Sequence, residues 1–255
     1  MGLNDRVFGP IGWKLTQKTQ KYIYRHFSRS RAHNDVLFLN AGYEEDPPMA
    51  LPLADSDELY RPCIQLYYRT ATQADLTDKK VLEVGCGHGG GASFLTRTLH
   101  PASYTGLDLN PAGIEFCRSR HTLAGLDFVE GDAEKLPFPD QSFDAVINIE
   151  SSLLYPRFPR FLAEVARVLR PGGHLLYADV RPRYKIAEWE TQLAGAPLRI
   201  LSQRVINAEV MRGTAKKSTQ RLGPYARVVA VIARFRKGPP PATEESYRMY
   251  CFTKD

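Results

Sequence analysis

The stretch Val81-Leu82-Glu83-Val84-Gly85-Cys86-Gly87-His88-Gly89-Gly90-Gly91 decides how this chain is read. Residues suited to a buried strand run into a glycine-rich turn that opens a helix. Glycine tolerates positive φ and lets a backbone approach a ligand closely. Such a turn presents bare N–H groups to the polar end of a bound molecule. Two spacings fit the same residues. Gly85, Gly87 and Gly90 match the dinucleotide pattern G-x-G-x-x-G, whereas Glu83, Gly85, Gly87 and Gly89 match E-x-G-x-G-x-G. The rest of the chain has to choose between the two chemistries.

Working outward, short apolar segments alternate with helical ones. Helices are expected over 92–99, 111–120 and 158–169, with Pro111 in the permitted first turn. Strands are expected over 104–109, 128–132, 143–150, 174–180 and 247–253. Arg170-Pro171-Gly172-Gly173 reads as a helix stop. This alternation indicates an α/β protein with a doubly wound, mostly parallel sheet covered on both faces. Upstream, 56–75 looks helical, and 40–62 is a loop or cap rich in breakers. Residues 1–75 therefore form a helical N-terminal extension and cap, and 76–255 one compact unit. Past residue 181 the signals weaken. Residues 186–194 and 202–211 look helical, 228–235 suits either helix or strand, and Gly238-Pro239-Pro240-Pro241 breaks any element. Without a strand at 228–235 the sheet is shortened at its C-terminal edge, and that edge is exposed.

Composition narrows the classes. At 43% apolar residues the 255-residue chain can supply a full core. It has no apolar run of about 18 residues to span a membrane and no apolar leader segment. Arg6 stands where a myristoylation signal needs Ser or Thr. Cys63, Cys86, Cys117 and Cys251 lack C-x-x-C spacing and read as reduced thiols of a cytoplasmic protein. Within 1–34, Arg6, Lys14, Lys18, Lys21, Arg25, Arg29 and Arg31 face Asp5 alone, and this excess equals the whole net charge of +6. A uniformly basic nucleic-acid protein would not look like this, so no nucleic-acid partner is expected. Residues 11–28 mix those cations with Trp13, Tyr22, Ile23 and Phe27. They read as a basic amphipathic helix, which either packs on the domain with a solvated face or lies on the anionic inner membrane surface. There each Lys or Arg contributes about 1 kcal/mol.

Ligands of doubly wound sheets sit at the carboxyl ends of the strands. There lie Glu83–Gly87, Asp108, Asp132 and Ile149-Glu150. An acid such as Asp108 suits the ribose of either cofactor. The order of further motifs discriminates: Gly131-Asp132-Ala133-Glu134-Lys135-Leu136-Pro137-Phe138, then Ser142-Phe143-Asp144-Ala145-Val146, a helix, and Arg170-Pro171-Gly172-Gly173. Together with E-x-G-x-G-x-G, this order resembles class I S-adenosyl-L-methionine (SAM) methyltransferases. The resemblance implies a Rossmann-like fold, SAM as cofactor, and a role for each residue. Gly85, Gly87 and Gly89 would pass under the methionine part, and Glu83 would organise the loop and the amino group. Asp108 would bind ribose and Leu109 pack on adenine. Asp132 would accept the adenine amino hydrogen, the Ala133 N–H meet a ring nitrogen, and Ile149 close the other face.

A narrower likeness lies in Ala41-Gly42-Tyr43-Glu44-Glu45-Asp46-Pro47-Pro48-Met49, Arg69-Thr70-Ala71-Thr72-Gln73, Cys86–Ser93 and the segment 246–254. These resemble the mycobacterial phthiotriol/phenolphthiotriol dimycocerosates methyltransferases. That likeness implies O-methylation of a hydroxyl on a cell-envelope lipid. The chain departs from the family where a histidine is expected after the fourth strand: it has Ser152-Leu153-Leu154-Tyr155-Pro156. Asp179, at the end of the fifth strand, is then the candidate general base, with turn capping as the plain alternative. His88 reads as a loop residue. A carboxylate acceptor needs no base, so a fatty-acid O-methyltransferase, a glycolipid-sugar O-methyltransferase and a catalytically weak SAM-binding paralogue stay as alternatives.

Overall fold

The structure, a computed structural model, describes residues 36–217 and 245–255. The basic segment 11–28, the ambiguous 228–235 and the proline run at 239–241 lie outside the described residues.

Strand β1 (Lys80–Val84) is buried from its second residue onward, as a central parallel strand requires. Its period of two sends Val81 to one core layer and Leu82 and Val84 to the other. It lies between β2 (Ser103–Asp108) and β4 (Phe143–Ile149), and β2 pairs with β3 (Leu126–Glu130), all parallel. On the other flank β4 pairs with β5 (Leu169–Pro182). The final strand β7 (Glu245–Thr253) runs antiparallel to β5 and to β6 (Arg199–Val205). The order is β3-β2-β1-β4-β5-β7-β6.

The helices follow the pattern of their apolar residues. α1 (Arg61–Ala71) begins with Pro62 in its first turn, and α2 (Gly90–Leu99) starts from the glycine loop. α3 (Pro111–Arg120) has the limits that Pro111 and its flanks suggest. In α4 (Phe158–Val168), Phe158, Phe161, Leu162, Val165 and Ala166 form one buried stripe. α5 (Ile186–Ala194) and α6 (Asn207–Lys217) follow. Among the described residues before α1 there is a single helical turn, Asp55–Glu58. Residues 36–54 form no helix or strand, yet Phe38, Tyr43 and Leu51 pack into the same core as Val81 and Ile147.

Two expectations are corrected. The seven-stranded sheet is complete without 228–235, because Arg199–Val205 supplies the outer strand. The helix expected over 202–211 begins only at Asn207. All of β6 is exposed, so no buried alternation marks it in the sequence. The helix stop at 170–173 holds, since α4 ends at Val168, but strand pairing resumes at once. Leu169 pairs with Phe143 and His174 with Ala145, and the residues between bulge out.

Candidate active site

A cavity of about 280 Å3 opens at the carboxyl ends of β1, β2 and β4, over the loop that follows β3. Its floor is Gly85, at φ +81°, where a side chain would collide with Ser151. The Gly85 and Cys86 N–H groups donate to the Leu107 carbonyl, which ties the loop to β2. Gly87 donates its N–H to Asp108 Oδ2 at 3.0 Å, and Asn110 donates to Oδ1 at 2.9 Å. Asp108 is thus aimed by two backbone groups while its carboxylate lines the cavity. A carboxylate oxygen can accept more than one hydrogen bond, a ligand hydroxyl's included.

Leu109 lines the cavity and is 46% exposed, an apolar face held open toward a ligand. Asp132 and Ala133 form the next wall. Asp132, expected to end the strand, lies two residues beyond the end of β3 at Glu130, in a turn where Oδ1 accepts the Glu134 N–H at 2.9 Å. The turn role and the cavity position coexist, since the carboxylate has two oxygens. Glu134 accepts both the Arg157 N–H at 2.6 Å and Arg157 Nε at 2.7 Å, which joins the two sides of the rim.

Among the remaining expected residues, Gly87 and Gly89 adopt φ +58° and +74° and shape the loop, but they do not line the cavity. Gly89 abuts Phe128 and His121 and starts α2. Glu83 does not line the cavity. Strand alternation puts it on the Val81 side, where Tyr67 Oη donates at 2.9 Å and Tyr104 Oη at 2.8 Å. Burial pushes its carboxyl up to about 7, against those two hydrogen bonds. Ile149 is buried in the core and does not face the cavity. Ser151, Leu154 and Tyr155 make that wall instead. Asn148 Nδ2 fixes them, donating to the Val84 carbonyl at 2.8 Å, Ser151 Oγ at 2.7 Å and Tyr155 Oη at 3.1 Å. Reading the sequence missed this wall. The run Asn148-Ile149-Glu150-Ser151 at the end of β4 was its available signal.

Asp179, the candidate base, stands apart from the cavity and is fully buried. Its Oδ2 accepts Ser152 Oγ at 2.6 Å and the Leu153 N–H at 3.0 Å, and its Oδ1 accepts the Val180 N–H at 2.8 Å. Arg181 lies 3.2 Å away, and its guanidinium faces the Trp189 and Phe158 rings. A carboxylate so fully engaged anchors the turn after β4. His88 is a loop residue, with Nδ1 2.8 Å from the Val36 carbonyl. The four cysteines are free and buried, and no metal-holding cluster occurs among the described residues.

The strand order, the antiparallel β7 and the glycine floor beside Asp108 define a Rossmann-like class I methyltransferase, and the cavity residues suit SAM. The chain matches the methyltransferase domain over residues 82–177. It is 58% identical to a fatty-acid O-methyltransferase of Mycolicibacterium smegmatis, covering 98% of this chain and 95% of that one. It is 57% identical to the phthiotriol/phenolphthiotriol dimycocerosates methyltransferase of Mycobacterium tuberculosis, covering 94% and 93%. The chain belongs to this mycobacterial family and is a SAM-dependent O-methyltransferase. The solved 4+2 cyclase SpnF shares the fold at a TM-score of 0.72, with 21% identity over 93% of this chain and 95% of its own. That protein is named for another reaction, so the shared fold does not fix the acceptor.

Proposed function

We propose that this enzyme methylates an oxygen of a long-chain cell-envelope lipid, with a hydroxyl such as that of phthiotriol or phenolphthiotriol dimycocerosate as the leading acceptor. The observation that carries this is the near full-length similarity to two enzymes named for lipid acceptors. Bound SAM supplies a methyl group on a sulfonium that departs as a neutral thioether. Gly85, Asp108, Leu109, Asp132 and Ala133 would hold it. Asp108 would accept ribose hydroxyls, Leu109 would cover one adenine face, and Asp132 would take the adenine amino hydrogen. Because the leaving group becomes neutral, the protein's main contribution is orientation. A second reading, a fatty-acid carboxylate as acceptor, is favoured by Leu153 in place of the expected histidine and by the fatty-acid O-methyltransferase relative.

The cytoplasmic placement and a peripheral contact of the basic segment 11–28 with the inner membrane surface belong to the same proposal. No helix among the described residues is long and apolar enough to cross a membrane. Methyl-labelled SAM incubated with a mycobacterial lipid extract tests the function. Label should enter a lipid fraction, and the mass gain should locate on an ether or an ester. SAM binding without any labelled lipid would overturn the reading and leave a non-catalytic SAM-binding paralogue.

A further inference from the structure

Next to the cofactor cavity wall, Glu150 and Tyr247 meet, and the methyl-donor site uses neither. Glu150 follows β4 directly and precedes Ser151 of the cavity wall. Its φ of +49° is rare for a side chain of this size, and such strain concentrates at functional positions. One carboxylate oxygen accepts the Ala41 N–H at 2.6 Å. Tyr247, 6% exposed, stands where β7 pairs with the carboxyl end of β5, opposite Val180. Its hydroxyl lies beside Glu150 without reaching hydrogen-bond geometry to any described residue. Asn40, 5% exposed, donates its amide to the Ala41 and Cys63 carbonyls, yet Oδ1 has no donor. Buried polar atoms are almost always paired, so the unpaired Tyr247 hydroxyl beside a strained carboxylate calls for an absent partner.

We propose that Glu150 is the general base for the acceptor hydroxyl and that the Tyr247 hydroxyl holds the acceptor oxygen. This rests on the oxygen-methylating function proposed above. The acceptor O–H bond breaks and its proton passes to the Glu150 carboxylate. The oxygen electron pair forms the new C–O bond to the methyl carbon, and the S–C electron pair leaves with sulfur as a thioether. Neither carboxylate lines the cofactor cavity, but both Asp179 oxygens are engaged, whereas Glu150 accepts the Ala41 N–H through one oxygen and adjoins the cavity residue Ser151 in the chain. Titratable groups face Glu150 from every side: Tyr247 on β7, Lys217 at the end of α6, Asp179 on β5, and Cys63 and Tyr67 on α1. Burial, aided by the charge of Asp179, pushes the Glu150 carboxyl up to about 7, while the Ala41 N–H and Lys217 pull it down. A base balanced near neutrality is suited to proton transfer there.

Glu150→Gln and Tyr247→Phe test the assignment with a hydroxyl-bearing lipid and a free fatty acid side by side. Glu150→Gln should bind SAM with unchanged Kd, lose about 10²- to 10⁴-fold in kcat on the hydroxyl acceptor, and lose the rise of kcat/KM through pH 7. Tyr247→Phe should mainly raise KM for the lipid. Independently of turnover, carboxyl-labelled glutamate NMR should show a signal titrating near 7 that is absent in Glu150→Gln; Glu83→Gln identifies the second such signal. If Glu150→Gln fails to fold, Glu150→Asp serves: its shorter arm should cost at least about tenfold in kcat with the pH limb kept. Active wild type with an unaltered Glu150 variant overturns the base and spares the function. Wild type that labels neither lipid overturns the function, and the base falls with it.

Discussion

The two ends of the sheet solve different problems. Around β1, β2 and β3 the ligand site is made largely of backbone: Gly85 has no room for a side chain, and Gly87 aims Asp108 with its N–H. Around β5 and β7 the structure rests on side chains. Asp179, Ser152, Arg181, Tyr177 and Trp189 form one buried network, with Glu150 and Tyr247 nearby. A site built from missing side chains is visible as glycine spacing. One built from side chains depends on which way each points, and spacing does not carry that.

The largest test of the contrast is Asp179→Ala. It strips buried Arg181 of its counter-charge and leaves Ser152 and the Leu153 N–H without their acceptor. Breaking a buried pair this way costs roughly 3–5 kcal/mol, which denaturant unfolding would read directly. Full stability combined with a lost neutral limb in the pH profile would make Asp179 the base and break the comparison.

On the cofactor side, Gly85→Ala is set against Gly172→Ala. Both positions have φ near +80°, so both variants carry the backbone cost of about 1 kcal/mol. At Gly172 nothing lies within 4 Å, whereas at Gly85 the new methyl runs into Ser151. SAM Kd by calorimetry should rise at least about 100-fold for Gly85→Ala, about 2.7 kcal/mol, and stay unchanged for Gly172→Ala. Equal effects would mean that strain alone, not the shaped floor, governs binding.

Legibility follows the same division. The loop, α3 to its last residue, and the cavity positions of Asp108, Leu109, Asp132 and Ala133 were readable because glycine, proline and strand-end acids have local consequences. β6 was not readable, since an edge strand exposed along its whole length has no buried face to impose alternation. Asp179 was rightly placed at a strand end, but Arg181 and Ser152 turn it inward. Glu150 is legible as a strand-end residue but not as a base, because its setting comes from Ala41, Tyr247 and Lys217, between 67 and 109 residues away in the chain.

The smallest test concerns Glu83, on the cofactor strand yet turned from the ligand. Its carboxyl rises from 4.5 to about 7 through burial, so the folded state holds the proton more tightly than the unfolded chain. That stabilisation is complete below about pH 4.5 and is lost as pH rises through 7, amounting to about 2 to 3 kcal/mol between pH 5 and 8. Glu150 adds a fall in the same window. Glu83→Gln keeps an acceptor for one tyrosine and cannot ionise, so its Tm should fall by roughly half as much as wild type over that range. SAM affinity should stay within about twofold, because the carboxylate does not line the cavity. A Glu83→Gln variant that unfolds with the wild-type pH dependence but loses SAM would return Glu83 to the cofactor and move the boundary between the two halves.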